Sequence, residues 1–207
     1  MSECVASVWL ITYNHERFIA EAIESALAQI TDFDFEIVIG DDCSTDGTTA
    51  IVEKYRNNFP KRIKAVYQDK NVGALRNAYE FTLSQCKGKY IAPLEGDDYW
   101  IDPHRLQKQV DFLEKNPEFG LAYGNQYHLE PDGKSHPYKP SIISTFEDLL
   151  FNSSIPTAST CLRKDLIDQF ASDTSFLSKN WLLADFPLWL WIYQNSKIHY
   201  VDEFYSV

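Results

Sequence analysis

The sequence predicts a single α/β domain with a mostly parallel central sheet flanked by helices. Along the first 115 residues, apolar and β-branched runs alternate with segments whose apolar positions recur every three or four residues. The runs are almost continuously apolar, which is typical of parallel strands covered on both faces. This alternation indicates βαβ crossover units, and a chain of 207 residues is long enough to bury a substantial core.

The elements of the first half follow one another in a regular order. Residues 5–11 predict the first strand, and apolar residues at positions 19, 22, 23, 26 and 27 place one apolar stripe on the helix that follows. The same alternation continues to residue 115. The predicted strands are residues 5–11, 35–39, 63–67 and 89–94, and the predicted helices are residues 16–27, 51–59, 73–86 and 103–115.

The second half is less regular. Residues 119–127 predict a strand and residues 146–151 a short helix. Residues 130–140 are polar and rich in Pro, Gly and His, which favours a surface hairpin over a functional flap.

The amino-acid composition limits which binding partners and which cellular location we expect. Thirty acidic and nineteen basic side chains give a formal net charge of −11, which argues against nucleic acid or an anionic membrane surface as the main partner. The longest apolar runs are too short to span a bilayer, and the first residues show no secretory signal pattern. The four cysteines have no zinc-ligand spacing, so we expect reduced thiols and a cytoplasmic location.

Polar residues follow the first, second and fourth predicted strands. They are Thr-Tyr-Asn at 12–14, Asp-Asp at 41–42 and Glu-Gly-Asp-Asp at 95–98. Open α/β sheets bind ligands at the carboxyl ends of their strands, so these residues are expected to line one crevice. The carboxylates of Glu95, Asp97 and Asp98 repel one another unless a positive charge lies between them. A hard divalent cation shared with a diphosphate meets that need, and a solvated acidic loop is the alternative.

The phosphate-binding signatures of other nucleotide folds are missing from the sequence. No G-x-G-x-x-G follows the first strand and no G-x-x-x-x-G-K-[ST] occurs, so neither dinucleotide binding nor a P-loop is supported. An aromatic ring, a carboxylate that can accept from a base N–H and a cation-binding loop instead indicate a nucleoside diphosphate pocket. Arg76, near the start of the third helix, is expected to reach this crevice, because a guanidinium matches phosphate oxygens two at a time.

Four motifs in order resemble the family 2 glycosyltransferases. They are Ile-Thr-Tyr-Asn at 11–14, Asp-Asp-Cys-Ser-Thr-Asp-Gly-Thr at 41–48, Asn-Val-Gly at 71–73 with Arg76-Asn77, and Gly-Lys-Tyr-Ile at 88–91 leading to Glu-Gly-Asp-Asp at 95–98. The resemblance covers nearly the whole chain. It implies a GT-A fold, a nucleotide-sugar donor, a divalent metal (Mn²⁺ or Mg²⁺) and inversion at the anomeric carbon.

The resemblance also implies roles for individual residues. Asp42 matches the aspartate that binds the nucleobase, and Glu95 and Asp97 match the D-x-D motif, with the metal on Asp97 or on its neighbour Asp98. Many members have aspartate where this chain has Glu95, and the extra methylene leaves the contact of that carboxylate open. The expected nucleotide-binding residues are Thr12, Tyr13, Asn14, Glu16, Asp42, Arg76, Glu95, Gly96 and Asp97.

Asp185 matches the family aspartate that precedes an aromatic-rich helix, although Ala184 stands where the family usually has glutamate. The resemblance favours Asp185 as the base that takes the proton of the acceptor hydroxyl, since desolvation raises the pKa of a carboxylate towards the working pH. The alternative is a helix cap, with Pro187 in the first turn, and the two roles are compatible. Residues 155–164 resemble the family segment that lies near the donor sugar, with packing as the alternative.

We therefore expect an inverting glycosyltransferase that moves a sugar to a saccharide or lipid-linked acceptor in surface polysaccharide or glycan synthesis. Residues 1–115 are expected to form the nucleotide-binding half and residues 116–207 the acceptor-side half, in a chain truncated at its C-terminus. Membrane contact is expected to be at most peripheral, at the inner face, and a homodimer is left open. The alternative is a catalytically silent nucleotide- or sugar-binding domain of the same fold.

Overall fold

A computed structural model describes residues 4–151, 155–179, 181 and 185–207. Its elements confirm the predicted alternation of strands and helices. The strands are β1 Ala6–Thr12, β2 Phe35–Asp41, β3 Ile63–Tyr67, β4 Tyr90–Glu95, β5 Phe119–Leu129, β6 Ser135–Tyr138, β7 Cys161–Arg163 and β8 Lys197–Ser206. The helices are α1 Ile19–Leu27, α2 Thr48–Asn58, α3 Ala74–Arg76, α4 Arg105–Lys115, α5 Phe146–Phe151, α6 Lys164–Ala171 and α7 Phe186–Asn195.

All eight strands form one sheet, in the order β3-β2-β1-β4-β7-β5-β6, and β8 pairs with β5. The first four strands are parallel to one another, as the crossover pattern predicts. Strand β7 is antiparallel to both β4 and β5 and so joins the two halves of the chain in one sheet. The predicted α/β architecture with a mostly parallel sheet is confirmed.

Each face of the sheet is covered by helices. In β1, Val8 and Leu10 point to the face packed against α1, α2 and α4, whereas Trp9 points to the opposite face. That opposite face is covered by α6, α7 and the residues that follow α3. Covering both faces explains why β1 is buried at nearly every position. Among the described residues, no helix is both long and apolar enough to cross a membrane.

The third helix differs from the regular helix that the sequence predicts. After α3 it continues as a π-helix over Asn77–Thr82 and a 3₁₀ turn over Leu83–Gln85. The Thr82 hydroxyl donates to the carbonyl of Asn77 at 2.7 Å, across the five-residue spacing of a π turn. This wide turn packs tightly on β2, because a Cβ added at Gly40 would lie 1.9 Å from Thr82 Oγ1. The distortion also brings the Asn77 amide within 2.8 Å of the Gly40 carbonyl, to which it donates.

Residues 130–140 belong to a surface hairpin, as the composition favoured. Strands β5 and β6 pair antiparallel from Gln126 with Tyr138 to Leu129 with Ser135. The backbone N–H of Glu130 donates to the carbonyl of Lys134 and closes the connecting turn.

Arg105 is a fully buried side chain that fixes the turn at residues 158–160, just before β7. Its guanidinium donates to the carbonyl of Ala158 at 2.9 Å and to that of Thr160 at 2.7 Å. The same group lies 4.0 Å from the centre of the Trp100 ring. The turn before β7 therefore depends on a cation held in the core.

Replacing Arg105 with methionine is expected to lower the free energy of unfolding by roughly 2–4 kcal/mol, because the buried Thr160 carbonyl and the Gln109 side-chain oxygen lose the donor that Arg105 provides. Urea unfolding followed by circular dichroism measures the change. The control is Arg56→Met, whose guanidinium is exposed and lies 3.8 Å from Glu53. We expect that control to change stability by less than about 0.5 kcal/mol, and equal effects of the two substitutions would contradict the assigned role of Arg105.

Candidate active site

The carboxyl ends of β2, β1 and β4 meet at one edge of the sheet, as predicted, and border a cleft of about 420 Å³. The strand register places Thr12 beside Asp41 and Ile11 beside Glu95. This volume lies in the usual range for small-molecule sites. The residues that line the cleft are Ile11, Thr12, Tyr13, His15, Asp42, Asn71, Gly73, Ala74, Asn77 and Glu95.

Asp42 is buried at one side of the cleft and held by backbone groups. Its two carboxylate oxygens accept from the N–H of Val72 at 2.7 Å and from that of Gly73 at 2.8 Å. Gly73 has a φ of 89°, a conformation that glycine adopts at little cost. Each oxygen keeps a further lone pair, so the fixed carboxylate can still accept from a base N–H.

Asn14 and Glu16 hold the turn after β2 and do not line the cleft. The Asn14 side-chain oxygen accepts from the N–H of Thr45 at 2.7 Å, and the Glu16 carboxylate accepts from the N–H of Gly47 at 2.6 Å. Asn14 has a φ of 58°, which is uncommon outside glycine but is found for asparagine in turns. Both residues therefore act on the cleft by tying the end of β1 to residues 44–47.

Arg76 lies outside the lining of the cleft. Its half-exposed guanidinium forms an ion pair with Glu80 at 2.7 Å, one turn along the same helix. Its contact with a diphosphate stays a prediction, and a ligand would have to compete with Glu80 for the guanidinium.

The loop after β4 concentrates negative charge beside the cleft. Enclosure by protein raises the pKa of Glu95 to about 7, and the negative charges of Asp97 and Asp185 raise it further. Solvent still reaches the Glu95 side chain through the open cleft. Burial likewise raises the pKa of Asp98 to about 7, and the charges of Glu95 and Asp97 add to the effect. Burial is thus the main cause of both pKa shifts, and repulsion by the neighbouring carboxylates adds to it.

Little positive charge offsets this acidic loop. In the part of the chain that the structure describes, neither lysine nor arginine forms an ion pair with Glu95, Asp97 or Asp98. His15 lies nearest, with its Nδ1 atom 3.7 Å from a carboxylate oxygen of Asp97. This Nδ1 atom and the Thr12 hydroxyl are buried without a hydrogen-bond partner. His15 was missed by the sequence reasoning, although its place directly after residues 12–14 was a usable signal.

The fit of a divalent cation to this loop is partial. Within residues 4–151, 155–179, 181 and 185–207, no three His, Cys, Asp or Glu side chains are placed to enclose a metal ion. Oxygen ligands suit Mg²⁺ and Mn²⁺, and Mg²⁺ is usually bound through one or two carboxylates together with phosphates of the substrate. The acidic loop offers carboxylate oxygens, and unpaired polar atoms lie next to it, but the loop does not enclose an ion by itself. Such a loop fits a cation that binds together with a phosphate-bearing ligand.

Gly96 allows the acidic loop to approach β1 closely. A Cβ added at this position would lie 2.5 Å from Thr12 Oγ1 and 2.8 Å from His15 Nδ1. Both of those atoms belong to residues that line the cleft. A larger residue at position 96 would therefore push the acidic loop away from the cleft or displace Thr12 and His15.

Replacing Gly96 with alanine is expected to lower the free energy of unfolding by roughly 1–3 kcal/mol through overpacking. It is also expected to weaken nucleotide binding, because it moves the lining of the cleft. Thermal unfolding with and without nucleotide measures both effects. Gly133→Ala is the control, since Gly133 has a φ of 83° and open space around it, so it carries a backbone cost without disturbing the cleft. Unchanged nucleotide affinity in Gly96→Ala would contradict the role of the close approach.

Asp185 occupies the N-cap position of α7, but its side chain does not cap the helix. Its backbone carbonyl accepts from the N–H groups of Leu188 and Trp189, while its carboxylate accepts from the Thr157 hydroxyl at 2.5 Å. The helix cap that was the alternative role of this carboxylate is not formed, because the carboxylate points to Thr157. Thr157 lies in the hydroxyl-rich segment 155–164, but the sequence did not single it out. Ala184 lies outside the described residues.

A second, smaller pocket joins Asp185 to the cleft. It has a volume of about 90 Å³ and lies between the sheet, the third helix and α7. Ile11, Ala74 and Glu95 line both this apolar pocket and the cleft, so the two spaces are contiguous. The apolar pocket is lined by Trp9, Ile11, Ala74, Leu75, Ala78, Tyr79, Pro93, Leu94, Glu95, Thr157, Asp185, Leu188 and Trp189.

Comparison with known proteins places this geometry in a family. A profile described as "Glycosyl transferase family 2" matches residues 7–172. Over 128 residues the chain is 38% identical to WfaP of Escherichia coli, a UDP-Glc:alpha-D-GlcNAc-diphosphoundecaprenol beta-1,3-glucosyltransferase, and the match covers 62% of this chain and 48% of WfaP.

Two solved structures share the fold. The structure of S. aureus TarS 1-349 in complex with UDP-GlcNAc has a TM-score of 0.74 and 25% identity, covering 98% of this chain and 57% of that one. The mannosyltransferase PcManGT from Pyrobaculum calidifontis, in complex with GDP-Man and Mn²⁺, has a TM-score of 0.67 and 15% identity, covering 99% of this chain and 56% of that one. The latter likeness shows the fold alone.

The chain spans about half the length of these three relatives. The family profile nevertheless covers most of the chain, from the first strand to the end of α6. The chain belongs to glycosyl transferase family 2 and has the GT-A fold of these glycosyltransferases.

Proposed function

We propose that the chain is an inverting glycosyltransferase that moves a sugar from a nucleoside-diphosphate donor to an acceptor hydroxyl. The proposal rests on one observation: the cleft, the acidic loop and Asp185 are contiguous. Glu95 lines both the cleft and the apolar pocket, and Asp185 lines the apolar pocket. A donor in the cleft could therefore extend its sugar towards a carboxylate placed to act on the acceptor.

The cleft supports a nucleoside diphosphate as the activating part of the donor. Asp42 presents a fixed carboxylate for a base N–H, and Tyr13, which is partly exposed, offers a ring face for stacking. Asp97 does not line the cleft but lies 3.7 Å from His15, which does, and the diphosphate is proposed to bind on this side of the cleft. TarS, the relative solved with UDP-GlcNAc, supports a nucleotide sugar as the class of donor.

Asp97 and Asp98 are the residues that would hold a divalent cation, Mn²⁺ or Mg²⁺. A bound cation would neutralise negative charge developing on the departing diphosphate. Gly96 brings this loop against Thr12 and His15, two residues that line the cleft.

Asp185 is proposed as the general base. Direct displacement with inversion needs one carboxylate that accepts the proton of the attacking hydroxyl as that oxygen bonds to the anomeric carbon. The Thr157 hydroxyl holds one carboxylate oxygen, which limits rotation of the side chain and leaves the other oxygen for the acceptor. Thr157 is in this sense a positioning residue.

The acceptor and the cellular role are inferred from the relatives. WfaP acts on a sugar linked to diphosphoundecaprenol and the name of TarS describes transfer to poly(ribitol-phosphate), so a saccharide or lipid-linked acceptor in surface glycan synthesis is proposed here. Residues 1–115 would bind the nucleotide, and residues 116–207 would face the acceptor. Such an enzyme would work in the cytoplasm, with peripheral contact at the inner face of the membrane.

Donor binding followed by turnover tests the proposal. Thermal unfolding is measured with UDP, GDP, CDP and dTDP, each with and without Mn²⁺, because a ligand that binds the folded state raises the melting temperature. Release of nucleotide from the matching sugar donors is then measured with saccharide and lipid-diphosphate acceptors. A metal-dependent shift with nucleotide release supports the proposal. Affinity without any release would indicate a binding domain, and no shift with any nucleotide would contradict the site itself.

A further inference from the structure

Asn77 is a buried polar residue in the lining of the cleft. Only 1% of the residue is exposed. Its amide nitrogen donates to the Gly40 carbonyl at 2.8 Å, and its amide oxygen accepts from the Gln68 side chain at 3.2 Å. Both ends of the amide are therefore bonded to protein groups, which suits a residue that positions its neighbours and does not itself contact a ligand.

The backbone of Asn77 is bonded to the turn that holds Asp42. The N–H of Asn77 donates to the Gly73 carbonyl at 2.9 Å. The N–H of Gly73 donates in turn to one carboxylate oxygen of Asp42 at 2.8 Å, and that of Val72 donates to the other oxygen at 2.7 Å. The turn at residues 71–73 thus lies between Asn77 and the Asp42 carboxylate.

The contact with Gly40 closes these bonds into a ring, because Gly40 lies at the end of β2, two residues before Asp42. Gln68 adds a second attachment to the same strand, since its backbone N–H donates to the Asp41 carbonyl at 3.0 Å. Without the Asn77 side chain, the turn would keep its bonds to Asp42 but lose its attachment to Gly40. The turn and the Asp42 carboxylate would then be free to shift together.

We propose that Asn77 is a positioning residue that holds the Asp42 carboxylate in place for the base of a nucleoside diphosphate. This inference rests on the proposed function, in which Asp42 accepts from a base N–H. Such a hydrogen bond needs donor and acceptor about 3 Å apart and nearly in line with the hydrogen, so a small shift of the carboxylate weakens it. Asn77 acts on the base through Asp42 and leaves the contacts of the diphosphate unchanged.

Equilibrium binding of two ligands that differ by the base tests the inference. One is UDP, or GDP, CDP or dTDP if that nucleotide gives a larger rise in melting temperature, and the other is ribose 5-diphosphate, which lacks the base. Both are titrated with Mn²⁺ by isothermal titration calorimetry, and the ratio of their affinities measures what the base contributes. Asn77→Ala is expected to lower this ratio about tenfold, while the affinity for ribose 5-diphosphate changes by less than about threefold. A ratio equal to that of the parent would overturn the inference.

A second variant and a control separate positioning from loss of stability. Asn77→Ala leaves the buried Gly40 carbonyl without its donor, so it is expected to lower the melting temperature as well. Gln68→Ala is milder, because it removes the bond to the Asn77 oxygen but keeps the bond to Gly40, and it is expected to lower the ratio about threefold. The matched control is Gln109→Ala, which removes another buried amide that donates to two backbone carbonyls outside the cleft. It should lower the melting temperature and leave the ratio unchanged.

The outcomes distinguish this inference from the proposed function. If a nucleotide binds with Mn²⁺ but both variants keep the ratio of the parent, the proposed function stands and the inference fails. The inference also fails if Gln109→Ala lowers the ratio as much as Asn77→Ala, since loss of stability would then explain the effect. If Asn77→Ala does not fold, the ratio in Gln68→Ala decides. If no nucleotide binds to the parent, the proposed function fails and the inference fails with it.

Discussion

Asp185→Asn is expected to lower the rate of sugar transfer by about 100-fold to 10,000-fold, the range lost with a general base. The amide has the shape of the carboxylate and can still accept from the Thr157 hydroxyl, so the geometry of the site is kept. It cannot take the proton of the acceptor hydroxyl at neutral pH. Donor affinity is expected to change by less than about threefold, because the proposed nucleotide site is the cleft and Asp185 does not line it.

Single-turnover kinetics with saturating donor, together with titration of the nucleoside diphosphate, separates loss of chemistry from loss of binding. Asp168→Asn is the matched control, since this exposed aspartate on α6 is paired with Lys164 and lines neither the cleft nor the apolar pocket. Its transfer rate should match the parent. Transfer that survives Asp185→Asn at more than about a tenth of the parent rate would remove Asp185 from the mechanism.

Asp97→Asn and Asp98→Asn, made separately, are each expected to lower metal-dependent transfer by about 100-fold or more, because a Lewis-acid cation contributes several kcal/mol to stabilising developing charge. Each is also expected to reduce the rise in melting temperature produced by Mn²⁺ with nucleotide. The measurement is a Mn²⁺ titration of both quantities. If both variants keep the metal dependence of the parent, the cation is held elsewhere.

The melting temperature of the metal-free protein is a second measurement, and it is expected to rise where the metal-dependent activity falls. Asp98 is enclosed by protein and repelled by Glu95 and Asp97, so removal of its charge is expected to raise the melting temperature measured in a chelator. Asp111→Asn, on the helix α4, serves as the control, because Asp111 accepts from the Gln107 amide and lies outside the acidic loop. A variant that is more stable without metal and less active with it identifies a carboxylate retained for function.

Much of the fold could be predicted from local patterns. Apolar runs gave the parallel strands and recurring apolar positions gave the helices, because those periodicities decide which side chains a strand or helix can bury. The meeting of β1, β2 and β4 at one edge also followed, since crossover connections place the carboxyl ends of parallel strands together. Irregularity was not predictable in this way, and the π-helix over Asn77–Thr82 depends on how tightly Thr82 packs at Gly40.

The residues of the candidate site were likewise predictable only in part. Asp42, Glu95 and the acidic loop were found from their places at strand ends, and Asp185 from a family resemblance. The sequence could not show that Asn14 and Glu16 bond the turn at residues 44–47, or that Arg76 pairs with Glu80. Those contacts depend on which hydrogen-bonding groups lie within 3 Å, and one strand-end motif is compatible with several such arrangements.

The sequence by itself determined the parallel sheet, the acidic strand ends and the family, because each follows from the order and spacing of residues along the chain. Only the tertiary structure placed His15 against Asp97 and Thr157 against Asp185, and enclosed the apolar pocket around Trp9. Thr157 and Asp185 are separated by 28 positions, and the walls of the pocket come from β1, the third helix, β4, the turn at Thr157 and α7. Contacts between distant segments are set by packing, which no local periodicity encodes.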